Sequence, residues 1–360
     1  MKKQSIFRKL FQTQQSGLIL VILALGAVLT IFSGNHLDAM TGKYVNNFLN
    51  WNTIMQTATD ASFFAIMAVG VTLVIITCGI DLSVGSIFAL SGVMMAMALR
   101  ALEPQHLSPV LTVLIGIGIS VTVGLLCGVL NGVLVVGLNV HPFIITLGSM
   151  WVLRGIAFVS SQAESILVPD ALTKTVKSSL GMGTTLSPIP TILMVIVAVV
   201  GSIYLTRTVA GRHVFAVGGN VEASRYSGLR MKRILIGVYL VSGLTAGIAA
   251  FLGGSYYGSS CCNDATGYEL FVIASAVVGG ASLNGGKGNA VSAMLGAILI
   301  VLIRQSIRTM HFKQEYEWII IGCAVIIAVV LDQASLRLAN KRLVSSAGDD
   351  AKASEAAREK

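Results

Sequence analysis

The chain has 360 residues, 54% hydrophobic and 11% charged, with a formal net charge of +9 and a mean hydropathy of +0.81. Soluble domains carry roughly a quarter charged residues, so the composition excludes a water-soluble enzyme and marks a membrane protein. At about 1.5 Å rise per residue and a hydrocarbon core of about 30 Å, the length holds about ten spans and no separate soluble catalytic domain; the cationic excess reports topology before any nucleic-acid partner.

Lys2, Lys3, Arg8 and Lys9 precede the first apolar run, 17–32. No small-residue cleavage site follows and the run is long for a signal peptide, so it reads as an uncleaved span behind a cytoplasmic segment 1–16. Further runs at 61–78, 84–99, 110–136, 142–160, 189–206, 234–252, 269–283, 290–303 and 318–331 complete an all-α polytopic membrane protein of ten helices. Its transmembrane domain is 17–335, and a solvated, weakly helical or disordered cytoplasmic tail, 336–360, follows. Several runs are short or interrupted by glycine and polar residues, which suits broken helices around a cavity. With both termini inside, the inside segments collect about twice as many cations as the outside ones, chiefly through Arg207, Arg212, Arg225, Arg230, Lys232 and Arg233 of the largest inside loop, 207–233. The longest outside segment is 161–188.

Polar groups near spans need a reason. Where one apolar run stops and the next begins, Asp81 or Ser83 reads as the cap of the following helix, a proton carrier at Asp81 being the alternative. Arg154 and Glu269 fit either a buried pair or an arginine snorkelling to the headgroups. No Asp/Glu/His chain follows one helix, so a proton relay has no support. Gly124, Gly128 and Gly132, with Gly243 and Gly247, give flat helix faces for close packing, and His141-Pro142 breaks the chain before the fifth span. Residues 79–96 align weakly with 280–297, a pattern of two analogous inside-facing corners. The five cysteines lack metal or redox spacing; Cys261 and Cys262 read as small loop residues, a vicinal disulfide being the alternative. With no Walker motif, nucleophile elbow or metal site, the chain is not expected to be an enzyme or to hold a cofactor.

Five stretches in order carry a family likeness: 77–86 (TCGIDLSVGS), 128–132 (GVLNG), 142–148 (PFIITLG) with Arg154-Gly155, 211–220 (GRHVFAVGGN), and 267–270 (GYEL) followed by 278–286 (VGGASLNGG). Together they resemble the permease subunits of bacterial ABC importers for monosaccharides of the ribose, xylose, arabinose and galactose type. The resemblance implies about ten helices in a vitamin B12 importer-like fold in the bacterial inner membrane. It also implies two permeases per transporter, a periplasmic sugar-binding protein outside and ABC ATPase subunits, holding the ATP, inside.

On that resemblance, 222–228 (EASRYSG) reads as a variant of the E-A-A-x-x-x-G coupling element. Gly219 and Asn220 turn the chain, Glu222 caps a short docking helix or pairs with an ATPase cation, and Ala223, Ser224, Arg225 and Gly228 complete it. Nearby arginines meet the ATPase or anionic lipid. By residues alone, the same loop is a topology determinant. Leu82, Ser83, Asn131, Thr146, Ser282 and Asn284 are candidate pathway positions for a neutral sugar; Asp81, Arg154 and Glu269 are structural polar residues. The alternatives are an ion-coupled secondary transporter, a non-transporting scaffold, and an ABC permease for a nucleoside or sugar-like signal.

Overall fold

The computed structural model describes residues 14–37, 42–180 and 186–310, with scattered positions between 313 and 330. In chain order the helices are α1 (Gln14–Phe32), α2 (Trp51–Ile76), α3 (Val84–Leu102), α4 (Pro109–Leu138), α5 (Pro142–Ser161), α6 (Asp170–Val176), α7 (Ile189–Arg207), α8 (Val209–Gly219), α9 (Val221–Tyr226), α10 (Met231–Tyr257), α11 (Tyr268–Val278) and α12 (Ala290–Thr309). Two antiparallel pairs of short strands join connecting segments: β1 (Asn35–Leu37) with β2 (Tyr44–Asn46), and β3 (Ile166–Leu167) with β4 (Ser259–Ser260).

Eight of these helices, α1–α5, α7, α10 and α12, are long and apolar enough to cross a membrane, which makes the chain an all-α polytopic membrane protein. The run at 269–283 is not one long helix. Its helix, α11, has 11 residues, about 16 Å, and Gly280 at φ 93 ends it in an irregular corner. The second span starts earlier than hydropathy places it, at Trp51, because the Asn50 side chain accepts the Thr53 N–H at 2.8 Å and caps the helix. Gln56, Thr57, Thr59 and Asp60 mask its first turns in a hydropathy window. The tenth run, 318–331, and both terminal segments fall mainly or wholly outside the described residues.

The centre of the bundle is α2, whose most apolar window is 94% buried, against 11% for α1 at the periphery. Packed around α2 are α7, α10, α11 and α12, and α10 lies along α4. That α4–α10 contact is the glycine face read from the sequence: a Cβ at Gly124 would overlap the Gly243 carbonyl oxygen, and one at Gly247 would lie 2.6 Å from the Ser120 oxygen. The Ser120 hydroxyl donates to the Gly247 carbonyl at 2.8 Å. Asn139 at φ 53 ends α4, and Pro142 opens α5 with His141 Nδ1 accepting the Phe143 N–H at 3.3 Å, so the break before the fifth span is where the His-Pro pair places it.

Candidate coupling and translocation site

Between α2 and α3 the chain turns through Thr77–Ser83, with Cys78 in the left-handed region at φ 62. Asp81, 1% exposed, does not cap α3. Its Oδ1 accepts the Ser83 N–H at 3.0 Å and the Ser83 hydroxyl at 2.6 Å, and its Oδ2 accepts the Ser242 hydroxyl of α10 at 2.7 Å. Asn131 of α4 donates to the Ser83 oxygen at 2.7 Å, and Thr146 of α5 donates to the Ile80 carbonyl at 3.0 Å. The first corner is thus tied to α4, α5 and α10 by polar groups, the arrangement non-helical backbone inside a bundle requires. The Asn131 carboxamide oxygen and the Tyr239 hydroxyl are buried there without a hydrogen-bond partner among the described residues. Sequence reading singled out Ser83, Asn131 and Thr146, which the fold brings together, and missed Ser242 and Tyr239, since a lone serine or tyrosine in an apolar run carries no signal of its partner.

Between α11 and α12 lies the second corner, with Ser282 buried and Asn284 exposed. Asn289 closes it by capping α12, accepting Val291 N–H at 2.8 Å and Ser292 N–H at 3.2 Å. The two corners meet. Gly286 N–H donates to the Ile76 carbonyl at 2.8 Å, and the Cys78 thiol donates to the Asn284 carbonyl at 3.2 Å and faces the Gly218 carbonyl at 3.7 Å.

Gly218, near the end of α8, is wedged into that junction, where an added Cβ would overlap the Ile76 carbonyl oxygen and lie 2.8 Å from Gly286 N. At Gly285, φ +81, a Cβ would overlap the Cys78 sulfur. Three glycine-bearing segments, far apart in sequence, therefore close on one another at backbone distance. Sequence reading took 209–219 as loop; it is helical, with Thr208 Oγ1 accepting the Gly211 N–H at 3.0 Å and Val214 and Val217 buried on one face.

The α9 helix leaves this junction directly. Asn220, not Glu222, is its cap, accepting the Ala223 N–H at 2.9 Å. Gly228 at φ 77 ends the turn, with Leu229 N–H returning to the Ser224 carbonyl at 3.2 Å, a Schellman-type closure that satisfies carbonyls at the helix end. Ser224 faces inward, whereas Glu222, Ala223 and Arg225 are exposed. Val221 and Tyr226, which sequence reading passed over, are exposed by 53% and 89% and add an apolar element to the same projecting tip. Val135, Val140 and His141 from the α4–α5 turn share a cavity with Arg225, Arg230 and Arg233. All four inner turns expected from the charge pattern (79–83, 137–141, 207–233, 284–289) thus gather on one face.

Toward the other end, Arg154 neither pairs directly with Glu269 nor snorkels. Its Nη1 donates to the Cys262 and Asp264 carbonyls at 2.7 and 2.6 Å, and Nη2 to the Ala265 carbonyl at 3.4 Å. Glu269 acts on it only through space. Burial pushes the Asp264 carboxyl up from its ordinary range, opposed by the Cys261 N–H and by Arg154. Cys261 and Cys262 are free thiols with their sulfurs 3.9 Å apart. No group of three or more His, Cys, Asp or Glu residues fit for a metal occurs among the described residues.

Residues 53–330 match the family described as branched-chain amino acid transport system / permease component. The D-allose transport system permease protein AlsC of Escherichia coli K12 is 35% identical over 288 residues, 79% of this chain and 85% of its own length. The ribose import permease protein RbsC of the same strain is 33% identical over 327 residues, 91% and 95% of the two chains. The fructose import permease protein FrcC of Rhizobium meliloti is 31% identical over 321 residues, 88% and 84%. No solved structure matches the chain. The extent of both likenesses, across the corners and the α8–α9 hairpin alike, places the chain in this family of transport-system permease components, together with the ribose, D-allose and fructose import permeases.

Proposed function

We propose that the chain is the membrane-spanning subunit of an ATP-driven importer in the bacterial inner membrane and forms the path for a monosaccharide. The relatives named for ribose, D-allose and fructose support the cargo class. The observation that carries the mechanism is the rooting of α9: its tip is exposed, while Gly218 at its base is locked against the ends of α2 and the second corner. A push on Glu222, Ala223, Arg225 or Tyr226 is thereby delivered to both corners without passing through a flexible linker. In this reading a separate ABC ATPase subunit binds and hydrolyses ATP and docks on α9, with Gly219, Asn220, Ser224 and Gly228 shaping the hairpin; the chain itself holds no cofactor and is not an enzyme. A periplasmic binding protein docks on the opposite face, and a second permease, a copy or a paralogue, completes a pathway that opens by alternating access. The ten-span, vitamin B12 importer-like arrangement and cytoplasmic termini belong to the same reading.

The pathway candidates Leu82, Ser83, Asn131, Thr146, Ser282 and Asn284 lie in or against the two corners, and the unpartnered Asn131 oxygen and Tyr239 hydroxyl add hydrogen-bonding capacity where those corners would part. The test is a crosslink: Ala223→Cys is expected to join a co-expressed ATPase subunit through a short bifunctional thiol reagent, in a yield that changes with ATP. Absence of any crosslink from Ala223→Cys and from a neighbouring Tyr226→Cys, in protein that is present at normal level, removes the docking assignment and leaves the hairpin a topology determinant.

A further inference from the structure

A cavity of about 290 Å³ lies among α2, α10, α11 and α12, at the end of the bundle away from α9. Asp60 is sixteen residues before Ile76, so about 24 Å of helix separates it from the glycine junction. Two kinds of wall meet there. One is aromatic: Phe63 and Tyr257, ring centroids 5.8 Å apart, with Tyr268, whose ring lies 4.4 Å from that of Phe64. Tyr257 is 58% exposed and lines the cavity.

The other wall is polar and planar. Gln56 Nε2 donates to Asp60 Oδ1 at 2.8 Å, and Arg308 Nη1 reaches Asp60 Oδ2 at 3.4 Å. An ionised carboxylate has about four acceptor positions, so Asp60 retains capacity beyond those two contacts. Arg304 lies over the Phe64 and Phe271 rings, 5.4 and 5.1 Å from their centroids, which fixes a second positive charge in the lining. Two arginines beside one aspartate disfavour a cation.

Aromatic faces bind the C–H faces of a pyranose or furanose ring, and planar carboxylate, carboxamide and guanidinium groups bridge hydroxyls on adjacent carbons. Small-molecule sites generally run from roughly 300 to 1,000 Å³, so this cavity lies at the lower limit, sized for one ring. We propose that it is a reception site for a single neutral monosaccharide, held between Tyr257 and Asp60 before it moves toward the corners. The proposal rests on the importer reading above and gives it a place and named residues that nothing in the family likeness supplies.

Protection from alkylation tests it on the complete transporter in proteoliposomes. Gln305→Cys places a thiol on the cavity wall, and its labelling by a membrane-impermeant maleimide is read by mass spectrometry at position 305. At least one of D-ribose, D-allose and D-fructose is expected to slow labelling severalfold, whereas lactose, too large, is not. Asp60→Asn or Tyr257→Ala in the same background is expected to abolish the protection while the protein stays monodisperse. Labelling as fast with each of the three monosaccharides as without sugar, protection by lactose to the same degree, or protection that survives both substitutions overturns the site. ATP-dependent sugar import by the unsubstituted transporter is measured in parallel. Import without protection overturns this site alone; no import of any of the three sugars takes the importer reading down with it.

Discussion

Asp81 is held by three donors, two from Ser83 and one from Ser242, so removing it strands two buried hydroxyls and a backbone N–H. Each stranded group costs about 1–3 kcal/mol, and Asp81→Ala is expected to lower the melting temperature of the detergent-solubilised permease sharply. Asp81→Asn keeps one acceptor oxygen, and its amide group can donate to Ser242; its loss of stability should be the smaller. The same pair separates energy sources. If an ATPase supplies the energy, Asp81→Asn permease should still import sugar when ion gradients are collapsed, whereas an ion-coupled transporter would need the titrating carboxylate. Arg154 gives a second case at this scale. It forks across three carbonyls of the 262–265 loop, a geometry a lysine cannot copy. Arg154→Lys should therefore lose nearly as much as Arg154→Gln, on the order of 2 kcal/mol, with faster amide hydrogen exchange confined to that loop. Equal stability of Arg154→Lys and the parent would show that charge, not the fork, matters.

Neighbouring glycines in α8 carry opposite expectations. In a helix, Gly→Ala ordinarily stabilises by roughly 0.5–1 kcal/mol. Gly219 has open space where a Cβ would go, but Gly218 has the Ile76 carbonyl there. Gly219→Ala should be neutral or stabilising, and Gly218→Ala destabilising by about 1–3 kcal/mol, with transport falling further than ATPase docking because the base of the hairpin, not its tip, is disturbed. Melting temperatures and co-purification of the ATPase read the two effects separately; destabilisation by both substitutions, or by neither, contradicts the packing. Elements of this kind mark the limit of sequence reading. The long apolar runs, the Gly124–Gly132 face and the break at His141-Pro142 were legible because periodicity, small residues and proline act locally. Helix α8 was not, because three glycines in eleven residues lower its propensity, and its stability comes from Val214 and Val217 packed against distant segments. Hydropathy counts the apolar residues of 269–283 and ignores the left-handed turn at Gly280, so it does not show that α11 stops at Val278. The cavity around Asp60 joins residues from positions 56 to 308, and no short motif spans such a distance.

Across the whole molecule, the apolar windows of α4, α5 and α7 are only 28%, 22% and 22% buried, with Leu114, Trp151, Val159 and Val200 well exposed. Such faces have no place in water; lipid and a second permease cover them in the importer reading. The same architecture separates the basic α8–α9 face from the loops that carry Glu103 and Lys174, and in the importer reading the basic face is the cytoplasmic one, as the cation bias leads one to expect. Ser227, at the end of α9, and Glu103, after α3, are both exposed and lie on the two opposite faces. Membrane-impermeant maleimide should label Glu103→Cys in intact cells and Ser227→Cys only in inverted vesicles. Cys78, exposed on the α9 side, is a built-in marker that should follow Ser227→Cys when labelled peptides are mapped. The reverse pattern would turn the molecule over, put the hairpin outside the cell where no ATPase can reach it, and with it end the coupling mechanism proposed for α9.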